Sequence, residues 1–138
     1  MTGGLQQLVS WVRSFRSRRL PGEVIDQAKL LLLDTLGCAL AALPEETVEQ
    51  TLKLVAEVGG TEQSRIIGTG MRCSVFNAVF ANGVLIRALD LNDYFGGNRV
   101  VGHPSDNIGV ALSVGDWQRS TGFDVLKAIV MGYELYGR

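Results

Sequence analysis

The sequence predicts an all-α protein, a multi-helix bundle, on three observations. Apolar residues recur at spacings of three and four through most of the 138-residue chain. Pro21, Pro44, Ser74, Ser105 and Thr121 each stand just ahead of such a run, where helices begin. Extended structure has little support: the β-branched pair Ile66 and Ile67, bounded by glycine and polar residues, suggests a short segment around 65–67 that is too brief to define a sheet.

Residues 5–15 place Leu5, Leu8, Val9, Val12 and Phe15 at helical spacing with Trp11 beside them. The basic run Arg16, Arg18 and Arg19 then suits a solvated helix carboxyl end. After Pro21, Glu23 and Asp26 favour a second helix start, and the run AKLLLLDTLGCALAAL is apolar nearly all round, so this helix is expected to be buried on most sides. Asp34 interrupts that run and, if buried, needs a partner. Gly37, Ala39, Ala41 and Ala42 offer close approach to another helix.

Pro44 opens a third helix with Val48, Leu52, Val55 and Ala56 on one stripe and Gly59 and Gly60 at its end. Ser74 caps a fourth, VFNAVFANGVLIRALDL, expected to end near Asp90. Of its two asparagines, Asn77 and Asn82, at least one is structural, and mid-helix Gly83 suggests close packing. Ser105 caps a fifth helix through Trp117, with Ile108, Ala111, Leu112 and Gly115 inward. Thr121 caps a sixth, in which Phe123, Leu126, Ile129, Val130 and Tyr133 face the core. The last helix runs to Arg138 without a carboxyl-terminal cap, as in a chain cut within its fold or completed by another chain. Residues 1–138 are therefore expected to form one helical domain, an incomplete piece of a larger fold.

Thirteen basic and 14 acidic side chains leave a formal net charge of −1, which offers no electrostatic ground for a nucleic-acid partner. Cys38 and Cys73 lack zinc-site spacing and read as buried free thiols in a reducing compartment. Neither an export signal nor an apolar run of the roughly 18 residues that span a membrane is present, so a cytoplasmic protein is expected. Hydrophobic residues make up 46% of the chain, which is high for a fully solvated helical domain and suggests that apolar surface meets another domain or chain.

The ionisable and loop-forming residues concentrate in residues 89–107, LDLNDYFGGNRVVGHPSDN, which hold the only histidine, His103. Asp90 and Asp93 would lie one turn apart on one side if the fourth helix frayed around them. Like charges confined together raise one another's pKa, and with a histidine beside them the trio could both remove and deliver protons. The same three side chains could bind a divalent cation. They could equally be structural, with the aspartates satisfying loop amides and His103 filling a turn before Pro104.

The motifs FANG, LDLND and GHPSDN, in this order and spacing, resemble the MmgE/PrpD family, as do LLLDTLGCALAA before them and GYELYGR after them. The resemblance covers nearly the whole chain, and the LDxND and HPSDN variants are most similar to the 2-methylcitrate dehydratase branch. It implies part of a large helical domain from a metal-independent, cofactor-free lyase that removes water from a hydroxy-polycarboxylate, usually as a homodimer. Asp90 and His103 match catalytic positions of the family. Asn92, Asp93 and Tyr94 match the same wall, where Tyr94 replaces a usual threonine; Arg87 and Ser105 are further candidates for substrate contact, and Arg99 is the other local cation. Family enzymes are much longer and bring further basic and histidine residues from elsewhere. The chain is thus expected to need either the missing carboxyl-terminal part or a second copy. The alternative is a short, non-catalytic family derivative that serves as a dimerisation or interaction module.

Overall fold

The computed structural model describes residues 3–15, 18–96 and 101–137, so Arg16, Gly97, Arg99 and Arg138 lie outside the described residues. Among the described residues six helices occur in chain order: α1 (Gly4–Phe15), α2 (Gly22–Ala41), α3 (Glu46–Val58), α4 (Val75–Arg87), α5 (Asp106–Gln118) and α6 (Gly122–Gly137). Two antiparallel two-stranded ribbons join them, β1 (Ser64–Arg65) with β2 (Arg72–Cys73) and β3 (Phe95–Gly96) with β4 (Val101–Gly102). The all-α expectation holds. The expected extended segment near 65–67 is realised as β1, one residue earlier, whereas the second ribbon falls in a stretch read from the sequence as loop.

The central helix is α4, against which α2, α3 and α5 pack. One core cluster joins Ala39 and Ala42 of α2, Val48 and Val55 of α3, Ile66 and Cys73 of the first ribbon, and Ala78, Ala81, Leu85 and Ile86 of α4. A second joins Ala28, Ile108 and Ile129, with Leu31, Leu126, Val130 and Tyr133 packed around them. Each fully buried leucine or isoleucine here contributes about 1.5–3 kcal/mol of transfer free energy. Cys38 and Cys73 are buried free thiols whose pKa values burial pushes up.

Side-chain caps form at the starts of α4 and α6 but not at those of α2, α3 and α5. The Ser74 hydroxyl accepts the Asn77 amide, and Thr121 and Asp124 cap α6 reciprocally. Ser105 does not cap α5 with its side chain: it already has helical backbone angles, and its hydroxyl is taken by Asn92. Both α4 asparagines are structural. Asn77 donates to the Gly59 carbonyl at 3.0 Å. Asn82, fully buried, accepts the Ile67 amide at 2.9 Å and donates to the Arg65 carbonyl at 3.1 Å and the Ser113 hydroxyl at 2.9 Å. Close packing of α4 on α5 comes from the glycine opposite Gly83: a Cβ on Gly109 would lie 3.2 Å from Ile86 Cδ1 and 3.4 Å from the Gly83 nitrogen, whereas one on Gly83 would meet nothing.

Several faces expected to be inward are exposed. In α2, Leu30, Leu33 and Leu40 face outward, because α4 and α6 cover only the side bearing Ala28, Thr35, Cys38 and Ala39. Asp34 is exposed, so water solvates it, and Gly37 meets no neighbour. Leu5, Leu8 and Val9 of α1 are exposed, as are Ala56 of α3 and Phe123, which sits in the first turn of α6 with the Lys127 ammonium 5.8 Å from its ring centroid. Phe76 of α4 is 83% exposed. No helix among the described residues is long and apolar enough to cross a membrane.

Replacing Asn82 with alanine strands the Ile67 amide, the Arg65 carbonyl and the Ser113 hydroxyl in the interior. Chemical denaturation is expected to show a loss of about 3 kcal/mol with an unchanged denaturant slope.

Candidate active site

The site lies where α4 stops and α5 begins. Helix α4 ends at Arg87, three residues earlier than its apolar pattern suggests, and the chain reverses through Asp90, whose φ of 53° is left-handed. Such a conformation is uncommon outside glycine, and aspartate tolerates it better than most side chains. It separates the two carboxylates. Asp90 remains exposed and accepts the Arg87 guanidinium at 2.7 Å, whereas Asp93 turns its carboxylate inward. The expected pair of carboxylates on one helical face does not form, because the helix has already ended.

Asp93 is held at both oxygens. Oδ1 accepts the Ser105 amide at 3.1 Å and Oδ2 accepts the Tyr133 hydroxyl of α6 at 2.8 Å. Burial, followed by the hydrogen bond and charge of Asp93, pushes the Tyr133 pKa well above the usual phenol range, so this hydroxyl stays a donor. Asn92 is buried beside Asp93. It accepts from Arg87 at 3.1 Å and donates to Ser105 Oγ at 2.7 Å and to Asp106 Oδ1 at 3.2 Å.

His103 faces this framework. Its Nδ1 lies 2.5 Å from the Asp93 carbonyl oxygen, and its Nε2 lies 3.6 Å from Asp90 Oδ1. A carbonyl can only accept, so Nδ1 carries a proton, and Nε2 is the nitrogen that faces Asp90. The Tyr94 ring stands edge-on to the imidazole with centroids 6.1 Å apart and is itself largely exposed. The second ribbon is docked on α6 through Phe95 and Tyr136, and Gly102 makes this contact possible: a Cβ there would lie 1.8 Å from the Tyr136 hydroxyl.

The residues singled out from the sequence therefore divide into two groups. Asp90, His103, Tyr94 and part of Arg87 border the open side, while Asn92, Asp93 and Ser105 are engaged with one another and with neighbouring helices. Arg87 is not a free cation, since its guanidinium also lies 3.8 Å from Asp106 in addition to its contacts with Asp90 and Asn92. The divalent-cation alternative loses its geometry: among the described residues no three histidine, cysteine or acidic side chains gather as a metal site, and the Asp93 carboxylate points to Tyr133. Tyr133 and Asp106 were not among the candidates from the sequence. Tyr133 read only as a core position, although a buried tyrosine hydroxyl needs a partner and this was the available signal.

Residues 6–138 match the MmgE/PrpD N-terminal domain. The chain belongs to the MmgE/PrpD family. It is 36% identical over 129 residues to a probable 2-methylcitrate dehydratase of Saccharomyces cerevisiae, covering 82% of this chain and 24% of that one. It is also 36% identical over 116 residues to the 2-methylcitrate dehydratase of Cupriavidus necator, covering 82% and 23% respectively. With the alkylcitrate dehydratase phiI of a fungal species it shares 41% identity over 93 residues, or 66% of this chain and 18% of that one. The chain thus spans about a quarter of the length of these family members or less.

Two measurements check this geometry. Arg87→Ala is expected to cost only about 1 kcal/mol, because the ion pair is solvent-exposed, while hydrogen exchange of the amides in residues 88–96 accelerates as the latch is lost. The raised Tyr133 pKa belongs to the folded state, so its stabilising contribution is complete below the ordinary phenol pKa of about 10 and is lost as pH climbs above it. Denaturation midpoints recorded from pH 8 upward should fall less steeply for Tyr133→Phe than for the parent chain.

Proposed function

We propose that this chain forms one wall of a hydroxy-polycarboxylate dehydratase site of the 2-methylcitrate type, with His103 as its proton acceptor. The observation that carries the reading is the placement of His103, whose Nδ1 is held by the Asp93 carbonyl and whose Nε2 stands beside the exposed Asp90 carboxylate. The relatives, named as dehydratases of 2-methylcitrate or alkylcitrate, agree with it.

In the proposed reaction a proton on the carbon next to a substrate carboxylate moves to Nε2. The electrons of the C–H bond form the double bond, and the C–O bond breaks as the hydroxyl takes a proton from an acid and leaves as water. The imidazolium that forms donates from Nε2 toward Asp90, which offsets its charge. Tyr94 borders the same opening, and Asn92, Asp93 and Ser105 hold its frame. Neither the proton transfers nor the charge offset calls for a metal or an organic cofactor.

The substrate's several carboxylates need cations, and Arg87 is committed to Asp90, Asn92 and Asp106. The reading therefore assigns the anion-holding wall to sequence corresponding to the rest of the relatives, or to a second copy. The exposed Leu30, Leu33, Phe76 and Phe80 support such cover, as a homo-oligomer. The two buried free thiols suit the reducing cytoplasm as the compartment.

Assay of 2-methylcitrate with the chain alone, and with the chain mixed with a polypeptide corresponding to the remaining part of its relatives, tests the proposal. Turnover is expected in the mixture, falling at least roughly 100-fold with His103→Gln; no turnover in either arrangement overturns it. The same exposed apolar residues favour a second reading, a non-catalytic module that dimerises through them. Sedimentation showing only monomer at high concentration overturns that one.

A further inference from the structure

We infer that Tyr133 is a positioning residue for His103, setting from α6 which imidazole nitrogen carries the proton. The connection is a continuous chain of contacts. The Tyr133 hydroxyl donates to Asp93 Oδ2 at 2.8 Å across 40 residues of sequence, the Ser105 amide donates to Oδ1 at 3.1 Å, and the carbonyl of the same Asp93 receives the His103 Nδ1 proton. Two donors, one from α6 and one from the residue ahead of α5, fix the Asp93 side chain, so the backbone of that residue cannot turn its carbonyl away independently.

Without the hydroxyl, one carboxylate oxygen of Asp93 loses its donor close to the only histidine of the chain. Freed on that side, Asp93 can turn its backbone carbonyl away from Nδ1, and with that acceptor gone the lone pair is no longer reserved for Nε2. The phenol can hold the carboxylate over the whole neutral range because burial and Asp93 itself keep it protonated. The charged groups around the pair are Asp90, with Arg87 bound to it, on the His103 side and Asp34 of α2 on the Tyr133 side. Tyr136, one turn further along α6, is a built-in comparison: its hydroxyl only reaches the Val101 carbonyl at 3.5 Å, and its ring packs on Phe95.

The importance of this arrangement rests on the reading of His103 as proton acceptor, but its test does not. Nitrogen-15 shifts of the single histidine, recorded at a pH where the imidazole is neutral, report the tautomer directly and without turnover. The parent chain is expected to show mainly the Nδ1–H form. Tyr133→Phe should lower the ratio of Nδ1–H to Nε2–H about fivefold, as loss of one net hydrogen bond would, while Tyr136→Phe leaves it unchanged. A folded Tyr133→Phe variant with the parent ratio overturns the inference, as does an equal change in Tyr136→Phe. If circular dichroism shows Tyr133→Phe unfolded, Asp93→Asn takes its place, and an unchanged ratio there overturns it equally. Failure of the dehydratase assay with the tautomer shift intact would remove the catalytic reading and leave this coupling standing.

Discussion

The inward-turned carboxylate of Asp93 is the junction on which the site depends. A partly buried carboxylate is costly unless its oxygens are hydrogen-bonded, and here the donors come from two places that only folding brings together, the residue just ahead of α5 and helix α6. The backbone carbonyl of the same residue then fixes the imidazole of His103. The direction of the chain's single histidine is therefore a consequence of how α5 and α6 pack through Ile108 and Ile129, both almost fully buried.

A second framework delivers the loop to that junction. Helix α4 is anchored at its start by the Ser74 cap, in its middle by the three hydrogen bonds of Asn82, and at its end by Arg87. Glycine at position 109 lets α5 approach closely enough for Ser113 to reach Asn82. Because Arg87 then gathers Asp90, Asn92 and Asp106, the loop is drawn over the end of α4 by charge and hydrogen bonds more than by apolar burial. This leaves Asp90, Tyr94 and one edge of His103 facing the open side.

Helix starts were legible in the sequence because caps and periodicity are local. Thr121 and Ser74 act as read, and the inward sets of α3 and α5 are mostly correct. Ser105 is the instructive exception, since its hydroxyl had a stronger use with buried Asn92 than with its own helix. The outward leucines of α2 could not be foreseen, because periodicity shows how apolar a helix is but not how many neighbours it has.

By itself the sequence determined the helical class, the loop that holds Asp90, Asp93 and His103, and, through FANG, LDLND and GHPSDN, the family to which residues 6–138 belong. Those features are written in residue types and spacings. The tertiary structure alone decided that Asp90 and Asp93 part company, that Arg87 is already occupied, and that Tyr133 reaches Asp93. Each of these depends on where a helix stops or on a contact between distant segments, and hydrogen-bond direction across such distances has no signature in local pattern.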